Sequence, residues 1–410
     1  MVRCRWLRVS LYAVLALGPL AAYGDSSCSP RDYCDSARAF MPEAEEITGR
    51  KGPAHFRCET VSGKRYQELA SFEGKRGVSA AELRYEGKLF EILGIIPEGY
   101  DYKRCILDGA ANASAAFYAQ RSKTIYFRND AALPRSLAIH ELTHVIQDHV
   151  FDLASFEPFE ATTDSRLAGA ALREGDAMLA ETVANRGESV VVNPECGPLT
   201  EPPFVSGCEP PPVLAKILAF PYEWGLRYAN LVNEQGGIAA LDRVFRSPPR
   251  TTTEVLYPNR FDTAELRGIE QDAARVRSSK PVVGEVYSDT LGEFVFRELL
   301  KKYAGLPLAG KAAKGWRGDR VSLIRVDDDQ WRAVWRIAVE TEQDLEELKL
   351  AVSGYVLQRF GISVSAQAGR WEAKKAGVGL GFKCDSSARI AELSIQSIGV
   401  SPRSVRSASR

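Results

Sequence analysis

The pentad His140-Glu141-Leu142-Thr143-His144 constrains this chain more than any other feature. On a helix, residues four apart lie about 40° from each other around the axis, so both imidazoles can grip one tetrahedral ion with the intervening carboxylate beside it. A fold for this sequence must therefore run a helix through the pentad and deliver a third donor from elsewhere. Pro134 suits the start of such a helix, having no N–H to leave unsatisfied, and the helical reading carries on to about Val150. The chain holds only four histidines, so two of them at metal-ligand spacing is a rare coincidence. The bland alternative is a helix with two incidental surface imidazoles.

The third donor decides the kind of site. His149 lies nine positions past His140, about 180° round the helix, and the longer His-x-x-Gly-x-x-His spacing is broken by Gln147 and Val150. It reads as a solvated helix-end residue. Glu174 is the better candidate, in an Ala-rich helix expected from Asp164, as N-cap, to about Ala184. It shares a helical face with Leu167, Ala170, Ala171, Ala177 and Met178, so its carboxylate points where a core should be, and a buried carboxylate needs a compensating charge. Gly175 costs about 1 kcal/mol in a helix interior, which implies that something approaches the backbone closely there. Two other readings stand beside this one: Glu174 paired with an arginine, or Asp164 as the ligand instead of a cap.

These residues carry a resemblance. HELTH followed by Glu174-Gly175-Asp176-Ala177 resembles the gluzincin superfamily of zinc metallopeptidases, in which a glutamate of an E-G-x-A segment on the next long helix completes a His/His/Glu site. More closely, the chain is similar to a group of secreted bacterial HExxH proteins. The likeness includes HELTHVIQDHVFDL at 140–153, EGDA at 174–177, FPYEWG at 220–225, the glycines at 236–237, SPPRTTTEVLYP at 247–258 and GWRGDR at 315–320. It implies a zincin-like catalytic core, with a small antiparallel sheet and the site helices, holding one zinc ion on His140, His144 and Glu174. It further implies a peptide or protein substrate, Glu141 as general base for a zinc-activated water, and the strand Thr124–Phe127 as a place where an extended substrate adds to a sheet. Tyr222, Tyr228 and Tyr257 are candidates for a second donor to the tetrahedral oxyanion by nearness in sequence to the site helices, Tyr222 and Tyr257 foremost. One departure is that Tyr257 stands where such proteins tend to carry a histidine before the proline of the last loop. The reading from a different class is a catalytically silent zinc-containing binding or cell-envelope interaction protein on the same fold.

Export is expected from the N-terminus. Arg3, Arg5 and Arg8 precede an apolar run from Leu11 to Ala22 and small residues near Ala21–Gly24, the order of a secretory signal peptide over residues 1–24. An uncleaved anchor is the alternative, and no later stretch is apolar enough to span a membrane. The cysteines agree with a secreted or periplasmic address. Cys196 and Cys208 are the best local disulfide pair, Cys28, Cys34, Cys58 and Cys105 can pair among themselves, and Cys384 is left free. Lys+Arg and Asp+Glu both number 53, so no global field gathers nucleic acid or anionic membrane.

The expected fold class is α+β, mainly α-helical. Residues 25–79 form a cysteine-containing lead-in, 80–280 the zincin-like domain, 281–396 a C-terminal α+β region and 397–410 a loose basic tail. The spacing predicts a helix over 80–93, two short strands within 114–128, helical patterns over 214–247, a helix at 289–303, strands within 318–340 and a helix at 341–360. Asp327-Asp328-Asp329 reads as a hairpin turn and Asn112-Ala113-Ser114 as a silent sequon.

Overall fold

The computed structural model of the protein describes residues 32–74, 79–112, 114–159, 162–185, 191–192, 207–259, 276, 283–375 and 377–397. The segments expected as a signal peptide and a basic tail, with Cys28 and Cys196, lie outside these. Helix α1 (Tyr33–Thr48) starts on Asp32, whose side chain accepts from the Cys34 N–H, and leads to strand β1 (Arg57–Val61) and helix α2 (Gly63–Gly74). Helix α3 (Ala80–Leu93) occupies the expected range. Ser79 and Glu82 close a capping box at its start, and Gly94, left-handed at φ 76°, ends it.

After α4 (Tyr102–Asn112), strands β2 (Ala116–Ala119) and β3 (Thr124–Arg128) form the expected hairpin. A two-residue strand β4 (Leu133–Pro134) opens directly into α5 (Arg135–Phe151), and a 3-10 segment, Leu153–Phe159, leads to α6 (Thr163–Ala184). The N-cap of α6 is Thr162, which exchanges side-chain hydrogen bonds with Ser165 in a capping box. Asp164 is therefore inside the first turn, a correction to its reading as the cap.

Strand β5 (Val191–Val192) pairs with β4. Helix α7 (Pro212–Arg246) kinks where Gly236 and Gly237 leave helical angles. Thr251 caps a short helix α8 (Thr252–Leu256) that periodicity did not reveal, because five residues are too few to show a period. Then come β6 (Glu285–Asp289), α9 (Gly292–Ala304), α10 (Leu306–Lys314), β7 (Trp316–Arg325), β8 (Trp331–Val339) and α11 (Glu342–Phe360). Strands β9 (Arg370–Lys375), β10 (Val378–Asp385) and β11 (Ile390–Ser397) complete the described chain. These last three had no clear strand signal, since Gly379, Gly381 and many Lys and Glu residues dilute the alternation.

The architecture is α+β. Sheet order is β6-β7-β8-β11-β10-β9 in an antiparallel C-terminal sheet and β1-β3-β2 in the small one. The small sheet is mixed rather than antiparallel, because β1 from the lead-in pairs parallel with β3, Cys58 opposite Ile125. That arrangement corrects a second expectation: β3, the strand Thr124–Phe127, is central and paired on both sides, so no substrate can add to it. The outer strand beside α5 is β2.

Two large apolar clusters, with a third small one around Tyr66 and Tyr126, organise the described residues. One unites α1, the small sheet and the inner face of α5, with Phe127, Ile139 and Leu142 fully buried. The other runs without a break from α3, α6 and α7 through α9, α10 and α11 to the large sheet. Each fully buried Leu, Ile or Phe contributes about 1.5–3 kcal/mol, so α5 is fixed chiefly to the first cluster and α6 chiefly to the second. The seam between these helices is where polar groups meet. Cys34 pairs with Cys58, tying α1 to β1. Cys105 pairs with Cys208, tying α4 to the start of α7, so the expected Cys196–Cys208 bridge gives way to a partner 103 residues away. Cys384 is free, as expected.

Candidate metal centre

Helix α5 turns Ile139, Leu142, Val145 and Ile146 into the first core, which leaves His140 and His144 side by side on the face toward α6. Their rings meet edge to face, centroids 5.0 Å apart. Glu174 arrives from α6 with one carboxylate oxygen 3.3 Å from His140 Nε2 and 3.6 Å from His144 Nε2. One donor atom from each residue lies within 4.8 Å of the others, so this trio can hold a metal ion.

Close helix contact makes this possible. A Cβ on Gly175 would fall 2.2 Å from the carbonyl oxygen of Gly225 on α7, so only glycine allows the backbones to touch. Gly225 returns the constraint, since its Cβ would lie 2.3 Å from the Ala171 carbonyl oxygen. The close approach expected at Gly175 is thus the α6–α7 crossing.

The outer nitrogens of both imidazoles are held. His140 Nδ1 lies 3.1 Å from Glu181 Oε2, and His144 Nδ1 lies 3.0 Å from Gln147 Oε1. Both partners are oxygens, so each Nδ1 donates outward and each Nε2 is the nitrogen turned toward Glu174, the one a metal would take. Burial pushes the His140 imidazolium down, but hydrogen bonds to Glu174 and Glu181 and the charge of Glu141 outweigh it and raise it to about 10. Burial pushes Glu174 up, yet the charges and hydrogen bonds of His144 and His140 hold it well below the usual carboxylate range. A pocket with this much carboxylate charge beside two imidazoles could hold a cation on His140, His144 and Glu174.

Glu141 is buried and close enough to both histidines to feel their charge. Burial raises its proton affinity above that of an ordinary carboxylic acid, against the His140 and His144 charges, and the Tyr118 backbone N–H of β2 donates to it. Tyr222 on α7 is half-exposed and stands in the field of Glu174 and Glu141, whose charges keep its phenol protonated. Tyr257 is elsewhere: its hydroxyl donates to Glu293 of α9 at 3.0 Å. Tyr228 is buried in the large core. His149 is exposed at the end of α5, as expected.

Asp164 has no part in the trio. It is buried and accepts from the backbone N–H and the hydroxyl of Thr252 at 2.8 and 2.6 Å. It belongs to a second set of buried acids where α6, α8 and α9 meet the large sheet. Asp289 accepts from the Thr163 N–H and hydroxyl, Glu293 from Thr253 and Tyr257. Asp319 accepts from the Leu291 and Gly292 N–H groups and from the Trp316 and Trp335 indoles. The segments SPPRTTTEVLYP and GWRGDR are therefore fastenings of this junction.

Several residues at the site carried no sequence signal of their own. Tyr66 of α2 is buried close enough to Glu141 to feel its charge, yet it lies 75 residues away in a segment read as lead-in. Gln147 and Glu181 were findable, one turn past His144 and two turns past Glu174 on the same faces.

Residues 280–389 match a family model described as a domain of unknown function, DUF8575, which covers β6 to β10 and leaves the trio outside. No curated protein and no solved structure matches the chain.

Proposed function

We propose that the protein is an exported zinc-dependent peptidase with a gluzincin-like site on a zincin-like core. The carrying observation is the placement of the Glu174 carboxylate 3.3 and 3.6 Å from the inward nitrogens of His140 and His144, with buried Glu141 within the field of both imidazoles. His140, His144 and Glu174 would hold zinc, which when bound supplies Lewis acidity to a water and to a substrate carbonyl.

The remaining work belongs to the chain. Glu141, its proton affinity raised by burial and its carboxylate steadied by the Tyr118 N–H, takes a proton from the attacking water and passes it to the leaving nitrogen. Tyr222 keeps its proton beside two carboxylates and offers it as a hydrogen bond to developing negative charge on the exposed side of the site. Strand β2 is an outer strand of the small sheet and adjoins Glu141, which supports an extended peptide as substrate. The two disulfides are compatible with an extracellular protein, and no described helix is long and apolar enough to cross a membrane.

Glu141→Gln tests the reading. Casein hydrolysis should fall by about 10²–10⁴-fold with zinc content and circular dichroism unchanged. A variant as active as wild type, or a wild type that binds zinc and cleaves nothing, overturns the peptidase reading; the latter leaves a zinc-holding binding protein.

A further inference from the structure

Gln147 does more than meet one imidazole. Its Oε1 accepts from His144 Nδ1 at 3.0 Å while its Nε2 donates to the Arg173 carbonyl at 3.0 Å and to Asp176 Oδ2 at 2.9 Å. Those two acceptors fix the amide: turned over, it would aim its oxygen at a carbonyl and a carboxylate. The side chain is fully buried and brackets Glu174, touching the residue before it and the residue two after it. Asp176, also buried, takes a second bond from Arg50 Nη1 at 2.6 Å, and Arg50 Nε donates to Asp242 of α7 at 2.8 Å. The guanidinium lies 5.3 Å from the ring centres of both Phe151 and Phe245. Arg50 follows the C-cap of α1, in the lead-in segment. A buried ion pair seldom adds much net stability, which leaves its role in fixing geometry to be accounted for.

Resting on the peptidase reading only for the identity of the metal, we infer that Arg50, Asp176 and Gln147 form a positioning relay that fixes the His144 tautomer and the spacing between His144 and Glu174. The lead-in thereby becomes part of the metal centre. None of the three residues donates to the metal; each acts through the next.

The test reads zinc affinity by chelator competition, independent of turnover, in the full chain. Gln147→Leu should weaken zinc binding about 10–100-fold. Asp176→Asn, which keeps an acceptor for Gln147 but breaks the ion pair, should weaken it about several-fold, and the double variant should be no weaker than Gln147→Leu alone. In ¹⁵N-labelled metal-free protein, at a pH high enough for its imidazoles to be neutral, His144 should show one tautomer protonated at Nδ1, and Asp176→Asn should blur that signature; a merely structural role would not. Zinc affinity within about twofold of wild type in Gln147→Leu, or losses that simply multiply, overturns the relay. Should Gln147→Leu fail to fold, Gln147→Met and the Asp176→Asn tautomer decide in the same sense. A wild type that takes up no divalent metal overturns both relay and peptidase reading, whereas one that binds zinc without cleaving peptides removes only the latter.

Discussion

Two regions of this molecule gather acids, one set fully buried and one half-buried, and they differ in what answers those acids. At the junction of α6, α8 and α9 with the large sheet, Asp164, Asp289, Glu293 and Asp319 meet backbone amides, threonine and tyrosine hydroxyls and indole N–H groups. In the seam between α5 and α6, Glu174 meets two imidazoles whose own donors are occupied elsewhere. Fixed donors consume a carboxylate's lone pairs and close the site. Imidazole nitrogens converging on one carboxylate oxygen leave donor atoms around a shared point. A buried acid by itself therefore says little about metal binding, and the partners decide.

Crosswise substitutions break this comparison most sharply. Glu174→Ala should lower zinc affinity by more than about 100-fold, beyond the loss for an outer-sphere partner. The urea midpoint of the chelated protein should barely move above about pH 10, where His140 no longer carries the proton that pairs it with Glu174. Asp319→Ala should do the reverse, costing at least ~3 kcal/mol as two indoles and two amides lose their acceptor, while the folded fraction binds zinc normally. Equal zinc content in wild type and Glu174→Ala would dissolve the distinction.

A smaller effect separates helix contact from chemistry. Gly175→Ala forces a methyl group toward the Gly225 carbonyl and should cost about 1–3 kcal/mol in urea unfolding, with weaker zinc binding as α6 shifts.

A further contrast is in pH. Burial pushes Asp164 up to about 8, Glu86 to about 7 and Asp319 to about 6. Folded values above the unfolded range near ~4 mean that this stability is fully present below about pH 4 and is lost as pH rises through 6 to 8. The zinc-loaded protein should lose urea resistance over that window, and Asp164→Asn should flatten the slope without altering metal content. In the chelated protein the His140 contribution persists below about 6.5 and is lost as pH rises through about 10.

Much of the secondary structure was legible. Ser79 and Gly94 bound α3 because capping acts within one turn, and Pro134 opens α5 for the same local reason. His140, His144 and Glu174 were legible because helical period alone puts two imidazoles on one face and a carboxylate on an inward one. Tyr257 misled, since nearness in sequence does not say which way a short helix aims its last residue; a buried glutamate on α9 claims it. Asp164 misled because the capping rules fit Thr162 two residues earlier equally well.

By itself, the chain's order of residues determined a helix able to present two imidazoles, an inward carboxylate and a glycine beside it, since each depends on interactions reaching four residues at most. Which groups complete the centre was decided only by the tertiary structure. Arg50 reaches Asp176 across 126 residues, Cys105 finds Cys208, and β1 turns β3 into a central strand. Such partners are chosen by how whole helices and sheets bury their apolar faces, and no local pattern records that choice.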